Sequence, residues 1–67
     1  MIRVIVYTGK SKQKKTAIET KYYSDAAEAE ARTWAYNMVQ EGADRFAALW
    51  VCDDEESVSQ HFLSIIQ

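Results

Sequence analysis

From Ile2 to Thr8 the chain alternates, with Ile2, Val4 and Val6 on one side and Arg3, Ile5 and Tyr7 on the other. A period of two rich in β-branched residues predicts a strand. Thr16 to Tyr23 predicts a second strand, with Thr16, Ile18, Thr20 and Tyr22 facing opposite to Ala17, Glu19, Lys21 and Tyr23. Between them lies GKSKQKK, Gly9 to Lys15, a polar loop headed by glycine and therefore the tip of a hairpin. Asp25 and Glu28 then have capping-box spacing. Ala27, Ala31, Trp34, Ala35 and Met38 recur at helical spacing, with Val39 on the flank. Gly42 follows as a C-cap signal, because glycine accepts the left-handed conformation there. These features predict a helix over residues 25–41. Phe46 to Cys52 is a short apolar run bounded by charges, which predicts a third strand. After it, Asp53 to Glu56 precede Val58, Phe62, Ile65 and Ile66, which share one helical face. Acids at a helix start oppose the positive end of its dipole favourably, so a second, shorter helix is expected over roughly 55–66.

The expected fold is α+β in the order β-β-α-β-α. Strand three, after a helix, runs antiparallel to strand one and pairs beside it, giving a three-stranded antiparallel sheet of order 2-1-3. The long helix and the short C-terminal helix pack it. The alternative sets strand three parallel to strand two by a right-handed crossover. That would place Glu19 and Lys21 on a central strand, and strand one is the more apolar candidate for the centre. If Val4, Val6 and Ile18 lie under the long helix, the second face shows Ile5, Tyr7, Ala17 and Tyr23. Strand three adds either Leu49 and Val51 or Phe46 and Trp50. A sheet with one covered face alternates more cleanly with polar residues, so something covers this one. The C-terminal helix is the expected cover. A second copy or a foreign protein docking on Tyr7, Tyr23 and Trp50 is the alternative, since such aromatics are favoured at interfaces.

Composition changes the picture in two ways. At 67 residues the chain has room for one domain, 1–67, whose small core often calls for a disulfide, a metal or oligomerisation. Its one cysteine, Cys52, makes no intrachain bridge and fits a reducing, cytoplasmic setting. The opening MIRVIVYTG lacks a signal-peptide pattern, and no apolar run approaches the roughly 20 residues of a membrane span. The net charge of −2 is also unevenly spread. Residues 1–24 carry six Lys and Arg against one Glu, a net +5, while residues 25–67 carry two against nine, a net −7. Such asymmetry points to charged partners.

Candidate chemistry is sparse. Asp54, Ser57 and His61 have the residue types of a hydrolase triad, but the polar side of a short helix supplies neither a shielded pocket nor oxyanion donors. Asp53 to Glu56 lack the alternation and glycine turn of a calcium loop and read as a solvated helix start. Cys52 with His61 is too few ligands for zinc, and a small buried cysteine is usually inert. No glycine-rich loop cradles phosphate. No catalytic residue, metal or cofactor is assigned, and a non-enzyme is expected.

The surface carries the remaining signal. Lys10, Lys12, Lys14 and Lys15 at the hairpin tip, with Tyr7, Tyr23 and Trp50 beside them, form the expected partner-binding surface. In size and element order alone, the chain resembles the small proteins that phages and mobile elements direct against host machinery. That resemblance implies steric blockade of a protein or nucleoprotein partner. The alternative is a nucleic-acid module using the same lysines on phosphates, although the loop itself has no aromatic residue to stack bases. Lysines also keep a hairpin tip soluble and discourage edge-to-edge pairing. A homodimer is a further expected form.

Overall fold

A computed structural model describes residues 1–10 and 14–67, and Lys12 lies outside the described residues. Among the described residues, four strands and one α-helix follow in the order β1 (Ile2–Thr8), β2 (Thr16–Tyr23), α1 (Glu28–Gln40), β3 (Arg45–Val51) and β4 (His61–Ile66). A 3-10 turn, Asp25–Ala27, leads into α1. The sheet is antiparallel throughout, in the order β2-β1-β3-β4. The expected three-stranded sheet with a second helix is therefore corrected: residues 61–66 form a fourth strand.

Two β-bulges explain where the sequence pattern misleads. In β4, Phe62 pairs with Trp50 and Ser64 with Leu49, so Leu63 is an extra residue in the ladder. The bulge puts Phe62 and Ile65 on one face and Leu63 and Ile66 on the other, each pair three residues apart. Three-residue spacing is what a helix would show, and here it comes from a strand with one added residue. Val58, assigned to the same helical stripe, is 95% exposed. The other bulge lies in β2, where Val6 pairs with Glu19 and Tyr7 with Ala17, leaving Ile18 over. A one-residue shift turns every later side chain to the opposite face. Ala17 thus shares a face with Tyr7, but beyond the bulge it is Tyr22, opposite Arg3, that lies there. Tyr23, opposite Ile2, points to the helix side.

The core lies between the sheet and α1. Ile2, Val4 and Val6 of β1 and Ala47 and Leu49 of β3 are buried against Ala31, Ala35 and Val39. The helix residues fall at i, i+4 and i+8, and two alanines among them let the helix settle close to the sheet. Tyr23, Trp34, Met38, Leu63 and Ile66 close the rim. Fully burying each large aliphatic side chain contributes about 1.5–3 kcal/mol, so β1, which supplies three of the four largest fully buried ones, anchors the layer.

The helix ends differ from the expected caps. The carboxylate of Asp25 takes the Met1 ammonium at 2.7 Å, and Glu28 pairs with Arg32 at 2.9 Å, so no capping box forms. Gly42 is not in the left-handed region; Asp44, at φ 64°, is the residue that turns the chain. A Cβ at position 42 would lie 2.5 Å from Nε of Arg45, so a side chain there would displace that guanidinium. That guanidinium donates to the Met38 carbonyl at 3.0 Å, placing a cation at the negative end of the helix. The Asp44 carbonyl accepts the N–H groups of Gly9 and Lys10 at 3.0 and 3.1 Å, which ties the turn before β3 to the base of the lysine tip.

Candidate functional site: the open face of the sheet

One helix covers one face of the sheet, and the C-terminal segment expected to cover the other lies in the sheet instead. β1 presents Arg3, Ile5 and Tyr7 to this open face, and β3 presents Phe46, Ala48 and Trp50. Of the two sets considered for strand three, the open face therefore carries Phe46 and Trp50. Cross-strand pairing groups the rings. Tyr7 stacks on Phe46 with centroids 4.9 Å apart and planes 14° from parallel, and Trp50 meets Phe62 edge-on at 5.5 Å. Such pairs contribute about 0.5–1.5 kcal/mol beyond their buried area. Phe62 and Ile65 on β4 nevertheless remain 58% and 45% exposed and form an apolar margin of this face. The indole N–H of Trp50 is buried and meets no acceptor among the described residues.

Lys10 and Lys15, at the base of the hairpin loop, border this face at one end. Lys10 and Lys15 line a shallow groove with Phe46, Ile65 and Gln67. Lys10, Lys14 and Lys15 are exposed. The aromatic residues that the loop lacks are thus supplied by the adjoining strands. Tyr7 and Trp50 also lie on this face. Tyr23 does not: it packs at 6.5 Å from Trp34 on the helix side, with the Lys21 ammonium over both rings at 5.2 and 5.4 Å.

At the other end, the loop between β3 and β4 folds over Arg3. The guanidinium donates to Gln60 Oε1 at 2.7 Å and to the carbonyls of Ser57, Glu55 and Asp54 at 2.8, 3.2 and 3.5 Å. Its Nε donates to the Tyr22 hydroxyl at 3.2 Å, which in turn donates to the Glu55 carbonyl at 3.3 Å. Arg3 is buried as a result, and it is the organising residue that the sequence pattern did not reveal. Its place in an alternating strand, with apolar residues on both sides in sequence, was the only available signal. The loop itself turns on Asp54, whose carboxylate accepts the Glu56 N–H at 3.0 Å while its carbonyl accepts that of Ser57 at 3.3 Å. The acidic run is therefore a fixed turn and not a helix start, and Asp53, Asp54, Glu55 and Glu56 are exposed on it.

The other candidate groups are dispersed. The Ser57 hydroxyl donates to the Ser59 carbonyl at 3.1 Å, and among the described residues no hydrogen bond joins the side chains of Asp54, Ser57 and His61 to one another. Cys52 is buried, its N–H donating to the Met1 carbonyl at 2.9 Å, while His61 is exposed at the start of β4. Among the described residues no group of three or more His, Cys, Asp or Glu is placed to hold a metal ion, and no helix is long and apolar enough to cross a membrane. The site is an aromatic sheet face with a basic end and an acidic end. Compared with family models, curated proteins and solved structures, the chain matches none.

Proposed function

We propose that this chain is a non-enzymatic interaction protein that docks by its open sheet face on a protein or nucleoprotein partner and modulates or inhibits that partner by steric blockade. One observation carries the reading: among the described residues a four-stranded sheet with a single helix leaves Tyr7, Phe46, Trp50 and Phe62 on the face that no helix covers, with the β3–β4 loop folded over its Arg3 end. Interface centres favour aromatic residues, and a charged margin steers the partner and fixes its orientation. The lysines select an acidic patch beside the apolar contact.

Nucleic acid is the second reading, favoured by the position of Tyr7 and Phe46 next to Lys10 and Lys15. Against it, the two rings use a face of each on one another, and four acids lie at the far end of the same surface. The protein reading is preferred on that charge. To test it, tagged protein is passed through lysate with and without nuclease, beside Phe62→Asp and a Lys12→Glu, Lys14→Glu double variant. Capture that survives nuclease and is lost in Phe62→Asp supports protein docking by the face. Capture abolished by nuclease transfers the assignment to nucleic acid. Capture unchanged in Phe62→Asp removes the face from the function, and unchanged affinity in the double variant removes the loop.

A further inference from the structure

The two ends of the open face carry opposite charge, and this constrains what fits on it. Lys10 and Lys15 stand where β1 leaves the sheet. The turn bearing Asp53 to Glu56 is held over Arg3, near where β1 begins. Five steps of strand separate Arg3 from Thr8, about 17 Å at 3.4 Å per residue. A surface complementary to this one is aromatic in the middle, acidic opposite the lysines and basic opposite the acidic turn. The same face of a second copy, with its strands reversed, has that layout.

We propose that two copies of this chain pack open face to open face about a two-fold axis that lies in the contact plane and runs across the strands. This rests on the reading of the face as a docking surface and names its occupant in the free protein. The rotation reverses the strand direction of one copy, so each lysine end meets the partner's acidic turn. An axis along the strands would set lysine against lysine and acid against acid. The arrangement also lays the Tyr7–Phe46 pair of one copy towards the Trp50–Phe62 end of the other. Such an interface is isologous and closes as a dimer. The molecule measures 30 × 23 × 16 Å, and its broad face is roughly 700 Å² in plan, close to the roughly 800 Å² per partner of a standard interface. In this dimer the chain's own acidic turn occupies the place of a target's acidic patch, so target binding and self-association compete.

The test is sedimentation equilibrium from about 1 μM to about 1 mM, which brackets the micromolar end of interfaces of this size. Wild type is compared with a Lys10→Glu, Lys15→Glu variant and a Glu55→Lys, Glu56→Lys variant. The expected result is a wild-type dimer, each variant weakened at least about tenfold, and an equimolar mixture of the two restored to a dimer because its poles are again complementary. A second measurement does not depend on variants. Zero-length carbodiimide crosslinking of mixed isotope-labelled and unlabelled wild type is expected to join Lys10 or Lys15 of one copy to Glu55 or Glu56 of the other. A wild type that stays monomeric at the highest concentration overturns the proposal, as does a dimer indifferent to both reversals or lacking those crosslinks. A monomer whose partner capture is still abolished by Phe62→Asp removes the dimer and leaves the interaction reading standing. Capture indifferent to Phe62→Asp removes the reading itself.

Discussion

Arg3 shows how one side chain sets the shape of the site. Its guanidinium is buried and spends its donors on a tyrosine hydroxyl, a glutamine side chain and three carbonyls of one loop. Bonds to a charged donor contribute more than neutral ones, and the fork geometry of guanidinium serves several acceptors at once. Arg3→Ala is expected to lower stability by about 2–4 kcal/mol in urea unfolding, because the loop carbonyls lose their donors together. Arg3→Lys is expected to recover less than half of that loss, since a single ammonium does not span Gln60, Ser57 and Tyr22. Full recovery by lysine would show that charge alone holds the loop.

At the scale of elements, β4 separates strand from helix behaviour in mutant stabilities. As a strand with a bulge, it turns Leu63 and Ile66 into the core and Phe62 and Ile65 outward. Leu63→Ala is therefore expected to cost about 2 kcal/mol, while Phe62→Ala in dilute solution costs no more than about 1 kcal/mol. A helix with Val58, Phe62, Ile65 and Ile66 inward would reverse the order of these two values. Thermal or urea denaturation of the two variants decides it. β4 also supplies backbone partners to the free edge of β3, the most apolar run in the chain. Satisfying that edge outweighs the weak helical preference of a six-residue stretch containing two adjacent isoleucines.

For the whole molecule, the uneven charge of the sequence becomes a polarity along one face. A dimer built on it ties folding to concentration, because association stabilises the folded chain by mass action. Raising the protein concentration about a hundredfold is expected to raise Tm by several degrees, since one or two kcal/mol moves a domain of this size by that much. Adding salt to about 1 M, where the Debye length falls to about 3 Å, is expected to weaken the dimer. A Tm independent of concentration in differential scanning calorimetry would contradict the coupling. Salt that strengthens association would identify an apolar contact without the charge pairing.

The sequence by itself determined β1, β2, the long helix and the apolar run of β3, because each has a local period or boundary that needs no distant partner. It also set Tyr7 on the face opposite Val4 and Val6, because β1 alternates without a bulge, while the pairing with β1 decided that Phe46 and Trp50 rather than Leu49 and Val51 share that face. What only the tertiary structure decided depends on register. The bulge at Ile18 moved Tyr23 to the helix side and Tyr22 to the open face, and the bulge at Leu63 made a strand repeat with helical spacing. The partners of Arg3 lie more than fifty residues away along the chain, apart from Tyr22, and no local pattern encodes them. A bulge is visible only against the strand it pairs with, and a buried charge only against the loop that satisfies it.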